Sequence, residues 1–270
     1  MPTAMNPANT VLISLSSFGA AEVRRHGQLY FTRLAHAAGA DGVEVRGELL
    51  SEPQAELPAI AEEARRRSLA LVYSSPEGLW NAAGELDTAA LERALQAAAL
   101  LGAPRLKMSI GAYGRQSAST LASLRDRLTE QDIALLIEND QTAGAGSLGA
   151  LQAYFADAAK VGLTPGMTFD MGNWHWIGEC PLQASQAFAA KVSYVHCKGV
   201  QRQPQRWIAV PLAESAAPWR AVLRALPAHV PWAIEYPLAG DDLEAVTRTE
   251  VLALRTLAAG FAAELSAGEG

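Results

Sequence analysis

The sequence predicts an α/β protein built as a single (β/α)8 barrel over residues 10–262. Three observations lead there. Eight short, strand-like apolar runs alternate with eight longer Ala- and Leu-rich stretches of helical character. Runs such as LALVY and IALLI are apolar throughout, as expected when both faces of a parallel sheet are covered. No linker or compositional break divides the 270 residues, a length that one α/β barrel routinely reaches. A doubly wound sheet would usually have fewer strands and a recognisable ligand crevice.

In chain order, strands are expected near 11–16, 42–46, 69–74, 105–110, 133–138, 167–170, 192–196 and 231–236. Helices are expected near 22–38, 54–67, 88–101, 116–130, 148–161, 182–190, 214–226 and 242–259. Gly39, Gly102 and Gly162 each follow a helical stretch, where a left-handed residue closes the helix. Ser51, Asp87 and Ser147 stand where N-caps belong. Residues 1–9 and 263–270 read as disordered tails outside the barrel.

Composition excludes several classes. Half the residues are hydrophobic, enough for a sizeable core, and the net charge is −6. That charge argues against nucleic acid as the main partner, because phosphate binding relies on clustered Lys and Arg. No apolar run reaches the roughly 18 residues of a membrane span. The start MPTAMNPANT lacks the basic and apolar regions of a signal peptide, so a cytoplasmic location is expected. Cys180 and Cys197 make neither a disulfide framework nor a zinc pattern. GAGSLG at 144–149 matches a dinucleotide fingerprint, but five residues separate it from the preceding strand end, so it reads as a flexible loop entering a helix.

Chemistry concentrates at strand ends. IALLIE ends at Glu138, GMTFD at Asp170, VSYVH at His196 and PWAIE at Glu235. In a barrel these fifth to eighth strand ends converge on the C-terminal rim, where barrel active sites lie. Any one of them alone would pass as a rim acid or a hydrogen-bonded core histidine. Four on successive strands point to a site. Three carboxylates and one imidazole make a hard, oxygen-rich set suited to Mn2+, Mg2+ or Co2+, with Zn2+ also compatible. Burying that much negative charge requires a cation.

On these residues the chain resembles the sugar phosphate isomerase/epimerase family, with a xylose-isomerase-like TIM barrel. The motifs are IEND at Glu138, FDMGNW at Asp170, YVHCKG at His196 and AIEYP at Glu235, at intervals of 32, 26 and 39 residues. ISLSSFGA, KMSIGAYG, IENDQT and GMTFDMGNW also look like the epimerase-like proteins of bacterial 2-ketogluconate utilisation operons. The resemblance implies that Glu138, Asp170, His196 and Glu235 bind one divalent metal, Mn2+ first among the candidates. It further implies that Glu138 and Glu235 transfer protons around a metal-stabilised enediolate.

Departures from the family pattern bear on the substrate. Many members have Asp-x-Gly-His where this chain has Asp170 to Asn173. Gly199 stands in place of a frequent acid, and Gly144 where ketose epimerases carry another Glu. Free tagatose or psicose is therefore disfavoured. Lys107, Lys198 and Arg46 offer cations for a carboxylate or phosphate, or else are ordinary solvated rim charges or pair with the ligand carboxylates. Asn173 is a further substrate contact, and Glu44 either binds substrate or fixes Arg46. Trp80, Trp174 and Trp176 wall a sugar pocket or simply pack, and Trp174 is the one assigned to substrate.

The expected function is thus a metal-dependent isomerase or epimerase of a keto sugar, sugar acid or sugar phosphate. The expected partner is a small molecule, not nucleic acid or membrane, and homo-oligomerisation stays open. The alternative is a metal-dependent dehydratase of the inosose or 3-dehydroshikimate type. More remote are a non-catalytic binding protein and an apurinic endonuclease, whose histidine-rich three-metal site this chain lacks, with Tyr73 and Lys107 near the relevant strand ends.

Overall fold

A computed structural model describes residues 10–268. In chain order its strands are β1 (Val11–Ser14), β2 (Gly42–Arg46), β3 (Ala70–Trp80), β4 (Arg105–Gly111), β5 (Ala134–Glu138), β6 (Gly166–Asp170), β7 (Val192–Cys197), β8 (Gly199–Arg202), β9 (Trp207–Val210) and β10 (Trp232–Ile234). All but β8 and β9 close into one parallel barrel, ordered β1-β10-β7-β6-β5-β4-β3-β2, while β8 and β9 form an antiparallel hairpin. The eight-stranded α/β barrel expected from the sequence is therefore present.

The helices are α1 (Ala20–His26), α2 (Gln28–Ala37), α3 (Pro53–Arg67), α4 (Thr88–Leu101), α5 (Leu121–Thr129), α6 (Ala143–Gly146), α7 (Leu148–Lys160), α8 (Pro181–Phe188), α9 (Trp219–Arg224) and α10 (Leu243–Gly268). Their apolar faces and the outward strand residues form the main core, which includes Phe31, Ile60, Leu91, Phe155 and Phe188. Inside the barrel, Leu12, Val72, Leu136 and Tyr194 make a second cluster with Ala233. Four of these come from alternate strands, as in the layered interior of such barrels. Side chains two residues further along a strand share the same face. Above Leu136 stands Glu138, and above Tyr194 stands His196, so the apolar layer is the floor on which the polar rim is built.

Several boundaries depart from expectation for physical reasons. The helix expected over 22–38 is two helices, split at Gly27, whose φ of 78° an α-helix cannot hold. The helix expected over 214–226 starts only at Trp219, directly after Pro218. Over 116–130 a 3-10 segment, Arg115–Thr120, precedes α5. Strand β3 runs on to Trp80 through a register shift between Ser74 and Gly78. Residues 144–149 are a helical turn followed by α7, whose Ser147 hydroxyl accepts from the Ala150 N–H, and not a loop.

Asp87 caps α4 as expected, and Gly39, Gly102 and Gly162 take positive φ. Ser51 does not cap α3. There the Glu56 carboxylate accepts the N–H groups of Ser51 and Glu52, at 2.8 Å each. Helix α10 continues past the expected barrel end at residue 262, while residues 1–9 and 269–270 lie outside the described residues. Among the described residues no helix is long and apolar enough to cross a membrane, and Cys180 and Cys197 are free thiols.

Candidate metal centre

The sequence reading placed four candidate ligands on one rim, and the barrel brings them together. One donor atom each from Glu138, Asp170, His196 and Glu235 lies within 4.8 Å of the other three. His196 Nδ1 is the hub, 3.0 Å from Glu138 Oε1, 3.0 Å from Glu235 Oε2 and 3.8 Å from Asp170 Oδ2. Neither His196 Nδ1 nor Glu235 Oε2 makes a hydrogen bond of proper geometry, although both are buried. An aromatic nitrogen aimed at three carboxylate oxygens demands a cation, either a proton on the ring or a metal ion among the four atoms. With metal–ligand bonds of about 2.1 Å, donors across an octahedral centre sit about 4.2 Å apart, so the quartet has the right size. The donor set therefore fits a divalent ion.

The other imidazole nitrogen is held from behind. His196 Nε2 lies 2.8 Å from Glu44 Oε2, and the Glu44 side chain is wholly buried. A carboxylate on Nε2 fixes the ring and, when Nε2 carries the proton, leaves Nδ1 free to ligate. Asp170 is fixed as well. Its Oδ1 accepts the N–H groups of Gly172 and Asn173 at 2.7 and 2.9 Å, which turns Oδ2 toward the quartet. Asn139, which the sequence reading did not single out, is fully buried and bonds the Asp170 backbone through both ends of its amide, at 2.9 and 3.0 Å. The only signal for it was its place directly after Glu138.

All three predicted cations turn inward. Lys107 Nζ is 2.9 Å from Glu44 and 2.9 Å from Glu138. Lys198 Nζ is 2.6 Å from Asp170 Oδ2, 2.7 Å from Glu235 Oε2 and 3.1 Å from Asn173 Oδ1. Arg46 Nη1 is 2.8 Å from Glu235 Oε1 and 3.2 Å from Glu44 Oε1, and its Nε is 2.9 Å from Glu48. Of the three readings open for these residues, substrate anion, solvated rim charge and pairing with the site carboxylates, the last is what the structure contains. Burial alone would raise the Glu44, Glu138 and Glu235 pKa values, but His196 and the adjacent lysines hold all three below the usual carboxylate range. Asp170 is the exception, since burial and the neighbouring Glu235 lift it despite Lys198. Burial would likewise lower His196, yet Glu235 and Glu44 hold it well above its ordinary value. Ring proton and metal are thus alternatives at Nδ1, and metal uptake would release the proton.

Access is one-sided. Glu138 and Glu235 are 15% and 10% exposed and Arg46 is 18% exposed, whereas Asp170, His196 and Glu44 are sealed. Asn173 is buried and tied to Asn139 O at 2.9 Å, with Gln141 donating to its Oδ1 at 3.1 Å. Trp174 is not on a pocket wall. It is fully buried between Phe169, at 5.5 Å, and Phe188, at 6.2 Å in a stacked pair, so packing displaces the substrate contact assigned to it. Trp80 is also core, with its indole N–H on Thr120. Beyond the quartet, the β8–β9 hairpin had no place in the sequence reading. It reaches the β6 loop through Trp207, whose ring lies 4.9 Å from His175.

Fold and site together define an eight-stranded α/β barrel with a carboxylate–histidine cluster at its C-terminal rim. Residues 32–257 match the family described as the xylose isomerase-like TIM barrel, and the chain belongs to it. Solved structures agree on the fold. A probable 3-DHS dehydratase, AsbF, from Bacillus anthracis has a TM-score of 0.68 at 13% identity, covering 91% of this chain and 98% of its own. L-ribulose 3-epimerase has a TM-score of 0.68 at 15% identity, covering 96% and 98%. A xylose isomerase domain containing protein from Salmonella typhimurium has 0.67 at 16%, covering 94% and 99%. No curated protein matches the chain.

Proposed function

We propose that the protein is a divalent-metal-dependent isomerase or epimerase of a keto sugar, sugar acid or sugar phosphate. The observation that carries this reading is the approach of Glu138 Oε1 and Glu235 Oε2 to one nitrogen, His196 Nδ1, at 3.0 Å each. In barrel order Glu138, the last residue of β5, and Glu235, directly after β10, bracket Asp170 and His196 on β6 and β7. The epimerase among the solved structures of this fold supports the reaction class.

Glu138, Asp170, His196 and Glu235 would hold the ion, Mn2+ before Mg2+, Co2+ or Zn2+. When bound, a divalent ion supplies Lewis acidity to a carbonyl and the hydroxyl beside it, which acidifies the intervening C–H. The chain supplies the proton transfer. Glu138 and Glu235 are the acids that solvent reaches, so substrate meets them first. One takes the proton from carbon and the other returns a proton. Return to the opposite face inverts that carbon, and return to the neighbouring carbon exchanges aldose for ketose. Because Lys107 and His196 hold Glu138 below its ordinary pKa, it is a weak base, and the C–H must be acidified correspondingly. Arg46, Lys107 and Lys198 would receive a substrate carboxylate or phosphate by exchanging their partners in the quartet for it, with Asn173 and Glu44 holding the lysines in place. A small molecule is the substrate, a cytoplasmic setting suits it, and nucleic acid is not a partner of a chain with net charge −6.

Metal content of the purified protein and deuterium incorporation from heavy water into keto sugars, keto acids and their phosphates test the reading. Glu138→Gln and Glu235→Gln are each expected to abolish C–H exchange while unfolding stays cooperative. Exchange at the wild-type rate in either variant refutes the two-glutamate assignment. A second reading is dehydration, which starts from the same proton abstraction. The fold shared with a probable 3-DHS dehydratase favours it, as does an ammonium, Lys198, 2.6 Å from Asp170 that could protonate a departing hydroxyl. Ultraviolet absorbance of an unsaturated product separates the two.

A further inference from the structure

We propose that Lys198 is a resident counter-cation of the acidic quartet, which competes with a divalent ion for Asp170 and Glu235 and makes metal binding weak and exchangeable. The inference rests on the metal-dependent reading above and concerns how the chain regulates its own metal. Lys198 differs from the other cations in what it holds. Lys107 meets one quartet member, Glu138, through the Oε1 that faces His196 Nδ1, and its other partner, Glu44, is outside the quartet, while Arg46 takes Glu235 by Oε1 and not by the Oε2 that faces His196. Lys198 Nζ meets two quartet members through the oxygens that face His196 Nδ1, Asp170 Oδ2 at 2.6 Å and Glu235 Oε2 at 2.7 Å.

The position is built. Asn173 Oδ1 accepts from the ammonium at 3.1 Å, so Lys198 Nζ is held by two hydrogen bonds, to Asp170 and Asn173, beside its ion pair with Glu235. The lysine stem crosses Gly172, where a Cβ would come within 2.7 Å of Lys198 Cδ and 2.8 Å of Cγ. Asp170 cannot turn Oδ2 away without giving up the two backbone N–H groups on Oδ1. The three carboxylates of the quartet together carry a charge of −3, which would resist burial in a metal-free chain without cations beside it. The ammonium offsets part of that charge, and the same positive charge opposes an arriving divalent ion. Metal entry therefore requires Lys198 to share these oxygens or withdraw toward Asn173.

Mn2+ titration of the full chain tests this, reading free Mn2+ by electron paramagnetic resonance and unfolding temperature with and without the ion. Wild type, Lys198→Met, Lys198→Gln and Lys198→Arg are purified with Mn2+ and then stripped with chelator. The neutral variants are expected to bind Mn2+ about tenfold or more tightly than wild type. Their metal-free forms should unfold at lower temperature, and Mn2+ should raise that temperature further than it does in wild type. Lys198→Arg, which keeps the charge, should stay close to wild type. Neutral variants that bind Mn2+ no more tightly than wild type overturn the proposal and leave the functional reading standing. Neutral variants that fail to fold even with saturating Mn2+ also overturn it, because the ion would then not replace the ammonium. Absence of Mn2+ binding in every protein overturns both.

Discussion

Glu44 ties the back of the site together. Its carboxylate, with no solvent exposure, meets His196 Nε2 at 2.8 Å, Lys107 at 2.9 Å, Arg46 at 3.2 Å and the Ser14 hydroxyl at 3.3 Å. Glu44→Gln keeps the shape and removes the charge. Whichever way the amide turns, its NH2 must face Lys107, Arg46 or the His196 N–H, placing donor against donor. Removing one partner of a buried ion pair costs about 3–5 kcal/mol. Lys107 retains Glu138, and Arg46 retains Glu235 and Glu48, so the lower end, about 3 kcal/mol, is expected. For a chain of this size that lowers the unfolding temperature by about 6–12 °C. Loosening the imidazole should also weaken Mn2+ binding about 10- to 100-fold. Scanning calorimetry of the metal-free protein measures the first effect, and Mn2+ titration the second. A Gln variant that matches wild type in both would refute the claim that Glu44 fixes His196.

Two further outcomes follow from packing and charge away from the quartet. Glu63 on α3 is nearly buried and faces Arg66 at 2.6 Å, Arg67 at 3.2 Å and Arg33 at 3.3 Å. Burial would raise its pKa, but the bonds from Arg67 and Arg33 and the charge of Arg66 hold it below the usual carboxylate range. A depressed folded-state pKa gives stability that is present above the unfolded value of about 4.3 and is lost as pH falls through the folded one. Glu63→Gln should therefore be less stable than wild type at pH 7, by about 1 kcal/mol given its half-exposed arginines, and the gap should close in acid. Denaturant curves at several pH values check this, and a gap undiminished at pH 3 contradicts it. Trp174→Ala should cost about 3–5 kcal/mol through the cavity left between Phe169 and Phe188. Trp174→Phe should lose less stability and leave substrate saturation unchanged, whereas full stability with altered saturation would return Trp174 to the pocket wall.

The barrel was legible because a parallel strand carries its own label. Leu136 and Glu138, Thr168 and Asp170, Tyr194 and His196, and Ala233 and Glu235 are each two residues apart, so floor and rim share one strand face. Each of the four polar residues also closes an apolar strand run, and that strand-end position singled out the candidate ligands without any contact being known. What fixes them was less visible. Glu44 reads in sequence as a neighbour of Arg46, while its bond to His196 spans 152 residues and needs the closed barrel. Lysine stems are long enough to reach solvent or a carboxylate from the same backbone position, so Lys107 and Lys198 could not be oriented from sequence. Trp174 faced the same ambiguity, which the phenylalanines on β6 and α8 resolve by packing.

The departures from the family pattern acquire separate physical meanings. Asn173 gives Lys198 a neutral acceptor at 3.1 Å, at a position where the resemblance leads one to expect an imidazole. Gly199 pairs with Val210 in the hairpin, and a Cβ there would lie 2.7 Å from the Val210 carbonyl and 2.6 Å from that of Pro211. An acidic side chain at 199 is incompatible with that approach, so the absent acid follows from the hairpin. Gly144, by contrast, has nothing within 4 Å of its would-be Cβ, so no steric demand explains the missing glutamate. Two of the three changes thus adjoin Lys198, on the β6–β7 side of the quartet, while Glu138 and Glu235 keep their approach to His196. Both changes therefore bear on the ammonium that contacts Asp170 and Glu235, and not on the approach of Glu138 to His196.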